Sequence, residues 1–314
     1  MSYFTNIEGV APIEIFELAK KFKEDNFSQK IDLGIGAYRT NEAKPWVLPA
    51  VRKAEKLITN NDTLNHEYLQ ILGDEEFSSM ATKMLLGENS IALKEKRVLS
   101  SQTLSGTGAL RLIADFMKKC CNFDSVYISE PTWPNHHLLF KHANYSNIKT
   151  YRYWKADTRS LDINGMLEDL NNAPKNSLVV LHACAHNPTG VDPTEDQWKK
   201  IADLIEQKQL MPLFDCAYQG FASGDLDKDA ASIRYFVSKG LEVIAAQSFA
   251  KNFGLYNERV GNLVFVVKNS ENIVNMKSQL SIIVRANYSN PPAFGSRIVK
   301  TILSNPDLNS EWYV

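Results

Sequence analysis

Leu178-Val-Val-Leu-His-Ala183, Thr194-Glu-Asp-Gln197-Trp198 and Met211-Pro-Leu-Phe-Asp215 follow one another within 38 residues, and their reading decides the fold. The first and third runs are short and almost wholly apolar, as strands buried on both faces are. Between them, Thr194 and Gln197 have capping-box spacing. Trp198, Ile201, Ala202 and Ile205 recur at i, i+3, i+4 and i+7, the apolar stripe of a helix. Strand, helix, strand in this order predicts parallel pairing, because a parallel connection needs a crossover. Working outward, Ser125–Ser129, Glu242–Gln247 and Asn262–Val267 read as further strands. The expected class is α/β: a mostly parallel central sheet flanked by helices, with its site at the carboxyl ends of the strands.

Pro45-Trp46 and the turn at Pro49 mark an expected boundary between residues 1–45 and 46–314. Ser304-Asn305-Pro306 reads as a helix start, capped by Asn305 or Ser304 with Pro306 in the first turn. The helix so begun reaches Trp312, Tyr313 and Val314 after few residues, which suggests an interrupted chain with an incomplete small domain.

With 35 Lys+Arg against 36 Asp+Glu, the net charge of −1 excludes the basic surface of a dedicated nucleic-acid binder. No run approaches the roughly 18 apolar residues that span a bilayer. The first ten residues carry Glu8 and lack a positive flank, so neither a secretory signal nor a transit peptide is expected, and the expected location is cytoplasmic. Cys120, Cys121, Cys184 and Cys216 have no C-x-x-C spacing and read as buried thiols.

Four segments carry chemistry-bearing residues. Lys251 follows an apolar strand among small and polar residues, with Arg259 eight positions on. A lysine nucleophile forms Schiff bases and needs desolvation or a nearby cation to lower its pKa; an exposed lysine is the plain alternative. Asp215 ends a strand, with Tyr218 three residues later, and reads either as a functional carboxylate or as a loop cap. His182, Cys184 and His186 close another strand before Asn187-Pro-Thr-Gly190. Alternation would put those three side chains on one face, but no fourth ligand is in sight, so no metal site is expected. Ser105-Gly106-Thr107-Gly108 opens a helix whose N–H groups and dipole suit a phosphate. It matches neither G-x-G-x-x-G, since Arg111 takes the third glycine's place, nor a P-loop.

Taken together, these segments resemble a known family. Ser248 to Gly261, read as S-x-x-K-N-x-G-L-Y-x-E-R-x-G, is similar to the lysine motif of the aspartate aminotransferases, class I pyridoxal-phosphate enzymes of fold type I. The resemblance continues through 32–39 (DLGIGAYR), Asn65-His-Glu-Tyr68, Ser105 to Leu110, Pro131-Thr-Trp133, His182 to Gly190, Asp215 to Gly224 and Ser289-Asn-Pro-Pro292, covering essentially the whole chain.

The resemblance implies that Lys251 binds pyridoxal 5'-phosphate covalently and later shuttles a proton. Asp215 holds the pyridine nitrogen protonated, with His136 and His182 behind it. Tyr218 and Asn187 bond the phenolic oxygen, and Trp133 stacks on the ring. Ser105, Gly106, Thr107, Ser248 and Arg259 cradle the phosphate. It implies a homodimer with shared sites, in which Tyr68 reaches the neighbour's phosphate and Arg285 grips a distal carboxylate. Gly36 lies near the substrate's α-carboxylate, and Trp133 and Asn187 also border the substrate. The implied reaction is L-aspartate + 2-oxoglutarate to oxaloacetate + L-glutamate, with amino and keto acids as the small-molecule partners. An aromatic amino acid aminotransferase is the runner-up, and a non-catalytic cofactor-binding homologue the reading from another class. Family members continue beyond the position of Val314, where they carry the arginine for the α-carboxylate. Cofactor binding without efficient transamination is therefore the expectation for these 314 residues by themselves.

Overall fold

Strands that are apolar on both faces need a cover on both faces, and the computed structural model, which describes residues 2–32, 34 and 36–313, provides it. Nine strands are present among the described residues: β1 Val98–Leu104, β2 Ser125–Glu130, β3 Asn147–Arg152, β4 Trp154–Lys155, β5 Ser160–Leu161, β6 Ser177–His182, β7 Met211–Cys216, β8 Val243–Ser248 and β9 Val260–Val266. Seven form one sheet in the order β1-β9-β8-β7-β6-β2-β3, while β4 and β5 pair separately. Pairing is parallel from β8 to β3, and β9 is antiparallel to both β8 and β1. Every strand of the large sheet except β9 therefore runs the same way, and their carboxyl ends open on one edge.

Alternation along each strand sorts the core into two layers. Val179, Leu181, Phe214, Val243, Ala245, Val264 and Val266 pack with Trp198, Ile201, Ile205 and Phe236 on one side. Leu178, Val180, Leu213, Ile244, Leu263 and Phe265 pack with Leu110, Ile113, Met117 and Leu280 on the other. The helix Glu195–Lys208 begins with the expected capping box, and all four residues of its stripe are buried. The rings of Phe214 and Phe236 meet edge-on with centroids 5.1 Å apart, and Trp198 lies 5.8 Å from Phe214. Phe214→Ala is expected to cost about 3–5 kcal/mol of unfolding free energy. Urea titration checks this, and a loss below about 1 kcal/mol would contradict the layer assignment.

The chain divides into two units, residues 1–46 and 47–314. In the first, the helix Glu14–Glu24 is followed by a bridge between Arg39 and Pro45, and the rings of Tyr38 and Trp46 lie 5.2 Å apart. Leu33 and Ile35, part of the 32–39 motif, lie outside the described residues, as do Met1 and Val314. In the second, Pro49 opens a helix at N1, and Asn305 Oδ1 accepts from the backbone N–H of Asp307 and Leu308 to cap Pro306–Tyr313. No helix among the described residues is long and apolar enough to cross a membrane.

Two sequence expectations need correction. Cys184 and Cys216 are buried, but Cys120 and Cys121 are exposed, because they fall on the outward side of the last turn of Ser105–Cys121. The strand containing His182 ends at that residue, so alternation does not extend to Cys184 and His186.

Candidate active site

The register of the sheet assembles the site. His182 pairs with Asp215, Cys216 with Gln247 and Ser248 with Gly261, so the ends of β6, β7 and β8 stand side by side. Asp215 is buried, and its Oδ2 lies 3.0 Å from Nε2 of the fully buried His136. On its other side, Nδ1 of His136 is 2.8 Å from the Thr132 hydroxyl. When Thr132 donates to Nδ1, the imidazole is the neutral tautomer whose Nε2–H points at Asp215. One carboxylate oxygen is thus fixed and the other is left for a second partner. Trp133 stands edge-on to His136, 5.4 Å between centroids.

Behind this pair lies a train of rings. His182 is 5.3 Å from His136 and 4.4 Å from His186, and the ring of His186 stacks on Tyr153 at 3.7 Å. Burial, together with the two neighbouring imidazoles, holds His182 well below the usual histidine range. Burial, then His136, pushes His186 down to about 4. The ring of His186 is engaged by Ser129 at 2.9 Å and Thr189 at 2.8 Å, while Asp192 accepts from the backbone N–H of Ala185 and His186. Those bonds make His186 a framework residue for the loop that carries Asn187. Donor atoms of His136, His182 and Asp215 do converge within 4.8 Å, but the first and last are already bonded to each other.

At the same edge of the sheet, Lys251 follows the end of β8 at Ser248. Its ammonium is half-buried and lies 5.0 Å from the ring centre of Tyr256. Burial, then the positive charge of Arg259, lowers its pKa from the ordinary lysine value. Tyr218 is also half-buried. Burial, then Asp215 and Tyr256, raises its pKa, so its phenol stays protonated at neutral pH. Tyr218 thereby links the carboxylate side of the cluster to the lysine side.

The third component is a helix start. Ser105 has φ +62° and opens Ser105–Cys121, and its N–H donates to the carbonyl of Arg259 at 3.1 Å. The hydroxyls of Ser105 and Ser248 are 3.0 Å apart. Arg259 Nη1 donates to the Tyr256 carbonyl at 2.9 Å, which holds the guanidinium in this corner. Two hydroxyls, a guanidinium and free N–H groups with the positive end of the helix dipole make a receptor for a phosphate dianion. Gly261 permits the close approach: a Cβ there would lie 2.4 Å from the backbone carbon of Ser105 and 2.7 Å from the Gln247 oxygen. Gly261→Ala is expected to destabilise the chain by about 1–3 kcal/mol through backbone displacement. Thermal melting checks it, and an unchanged midpoint would contradict this packing.

Residues 28–314 match the family described as aminotransferase class I and II. The chain belongs to the class I and II aminotransferases. It is 53% identical to the cytoplasmic aspartate aminotransferase of Gallus gallus, over 99% of this chain and 77% of that protein. Among solved structures, the aspartate aminotransferase from Saccharomyces cerevisiae cytoplasm superposes with a TM-score of 0.95 at 47% identity, covering 99% of this chain and 77% of that one. An aromatic-amino-acid aminotransferase from Burkholderia pseudomallei, covalently bound to pyridoxal phosphate, superposes with a TM-score of 0.96 at 38% identity and the same coverage.

Within this aminotransferase chain, Asp215, Tyr218, Lys251, Ser248, Arg259, Ser105, Gly106, Thr107, Trp133 and Asn187 all lie at or just beyond the strand ends on one edge. Tyr68 and Arg285 are instead exposed. Tyr68 lies in the loop before Glu75–Leu86, and Arg285 on the helix Ile273–Tyr288 is hydrogen-bonded to Ser289. Gly36 belongs to the 1–46 unit. Sequence reading did not single out Thr132, Tyr256 or the Ser129–His186–Thr189 bonds. Thr132, four residues before His136, carried the one local signal.

Proposed function

We propose that this aminotransferase uses pyridoxal 5'-phosphate to exchange the amino group of L-aspartate with the keto group of 2-oxoglutarate. The observation that carries the reading is Lys251, an amine with a depressed pKa beside Arg259, set in one cluster with a buried carboxylate that His136 holds by hydrogen bond. A pyridine ring, a phenolic oxygen and a phosphate find a carboxylate, a protonated phenol and a hydroxyl-rich helix start in that cluster, so the donor set fits the group.

When bound, the cofactor supplies an electron sink for the carbanion formed at the substrate's α-carbon. The chain's residues do the rest. Asp215 accepts the pyridine N–H, and His136 fixes the carboxylate for that bond. Ser105, Gly106, Thr107, Ser248 and Arg259 hold the phosphate. Trp133 covers the ring, and Tyr218 and Asn187 bond the phenolic oxygen. Lys251 Nζ, neutral at lower pH than an ordinary lysine, takes the proton from the substrate's Cα. Trp133, Asn187 and Arg285 border the substrate, Arg285 gripping its distal carboxylate as a bidentate fork.

The exposure of Tyr68 and Arg285 supports a homodimer in which each serves the neighbouring site. In this reading residues 1–45 are an arm and part of a small domain, and 46–314 are the large cofactor-binding domain. The names of the relatives support a cytoplasmic location.

Aspartate is expected to exceed phenylalanine in kcat/KM by about 100-fold or more, since a neutral side chain offers the Arg285 guanidinium no partner. Initial rates with both amino donors check this. Comparable values would favour the aromatic specificity that the Burkholderia pseudomallei likeness supports.

A further inference from the structure

Sheet pairing between β7 and β8 ends at Cys216 and Gln247, yet the two reactive side chains of their loops, Tyr218 and Lys251, lie beyond that point. One buried hydrogen bond rejoins the loops. Asn252 Nδ2 donates to the carbonyl of Gln219 at 3.0 Å, and Asn252 and Gln219 are 2% and 1% exposed. We propose that Asn252 is a positioning residue whose amide, by locking the lysine loop to the tyrosine loop, sets the spacing of Lys251 Nζ and the Tyr218 hydroxyl. The inference rests on the transaminase reading of this site.

Both ends of the bond are anchored. The carbonyl of Asn252 accepts from Trp312 Nε1 at 2.8 Å, and Trp312 stacks on Phe253 with centroids 4.2 Å apart. The side chain of Gln219 donates to the carbonyls of Met84 at 2.9 Å and Leu226 at 3.1 Å. The tether therefore joins two fixed frames, and each reactive residue stands one position before one of its ends. Movement at 252 or 219 passes directly to Lys251 or Tyr218. Packing alone does not call for an amide here. Asn252 Oδ1 is buried without a hydrogen-bond partner, so an apolar side chain of the same volume would fill the space without that cost. The donor on Nδ2 is what the position uses.

Among the titratable and charged groups facing the pair are Arg259 and Tyr256 around Lys251, and Asp215, Tyr256 and Cys184 around Tyr218. Parting the loops admits water to Lys251 and moves its amine from this set, so its protonation midpoint rises toward that of an ordinary lysine.

The test compares Asn252→Ala and Asn252→Leu with Trp312→Phe. The leucine variant keeps the volume and so preserves the fold if the alanine variant does not. Trp312→Phe removes that hydrogen bond but keeps an aromatic ring against Phe253 and the Asn252 Nδ2 bond itself, so the tether stays in place. Two readouts are taken: kcat and KM for aspartate in the loaded protein, and, without cofactor, the pH profile of Lys251 acetylation by acetic anhydride followed by peptide mass spectrometry. The expected result for both Asn252 variants is a kcat lowered about tenfold or more with KM changed less than about threefold, as a displaced reactive group produces. The Lys251 profile moves to higher pH, whereas Trp312→Phe lowers the melting midpoint and leaves the profile in place. Asn252 variants that lose stability yet keep kcat and the Lys251 profile would overturn the proposal. That result would leave the transaminase reading intact, since it does not touch Lys251, Asp215 or the phosphate corner.

Discussion

Lys251→Ala is expected to lower kcat for aspartate by more than about 10⁴-fold, the combined loss of a covalent anchor and of a proton carrier. The reason is geometric before it is chemical. Arg259 carries a permanent charge and Tyr256 offers a ring face, so Lys251 is the amine that this edge of the sheet presents. Its depressed pKa follows from burial first and from Arg259 second, which leaves more of it neutral near pH 7 than of an exposed lysine. Alanine removes that amine but leaves the phosphate corner intact, because the Ser105–Ser248 contact and the Arg259–Tyr256 bond do not involve the lysine side chain. The variant is therefore expected to bind the cofactor without covalent attachment. Steady-state rates and the visible spectrum measure the two halves of this expectation. Turnover within tenfold of the unmodified chain would contradict it.

Asp215→Asn is expected to lower kcat by about 10³-fold, in the range seen when one preorganised electrostatic contact to developing charge is removed. The substitution keeps the shape and takes away the charge that holds a pyridine nitrogen protonated. It also reorganises the hydrogen bond to His136. An amide oxygen still accepts from Nε2–H, but more weakly than a carboxylate, and a misdirected NH₂ would face the ring nitrogen's own proton. Asp215→Glu keeps the charge but displaces it from His136, so an intermediate loss is expected. Rates for the three proteins at saturating cofactor check the order Asp, Glu, Asn. Asp215→Asn within about tenfold of the unmodified chain would show that the carboxylate does not face the cofactor.

The sheet's centre was legible because β6, β7, β8 and β9 are mostly apolar and buried along their length, and strands buried on both faces declare themselves by composition. β1 was not. Ser101, Gln102 and Thr103 are all buried in this edge strand, and their polarity hid its burial, which hydrogen bonds make tenable: Ser101 to Leu72, Gln102 to Pro292 and Thr103 to Ser105. β3, the strand at the other edge, was missed because it is largely exposed and its Lys149 and Arg152 give it the look of a loop.

At the site, Lys251 and Asp215 were legible as residues at strand ends once the ordered motifs were taken jointly. Their supports were not legible in the same way. Thr132, Ser129 and Gln219 act through hydrogen bonds to side chains that are distant in sequence or are fixed by loop geometry, and a local pattern does not encode such closures. The same limit explains the cysteines. Which side of a helix's last turn meets the core depends on the packing of its neighbours, so Cys120 and Cys121 face outward while the strand-end thiols Cys184 and Cys216 are enclosed.

The most direct test of the account is to load the purified chain with pyridoxal phosphate, reduce it with borohydride and map the label by peptide mass spectrometry. The account predicts a single stoichiometric label on Lys251 that is lost in Lys251→Ala. Label on other lysines in its place, or none at all, would contradict the assignment of Lys251, Asp215 and Arg259 as one cofactor site.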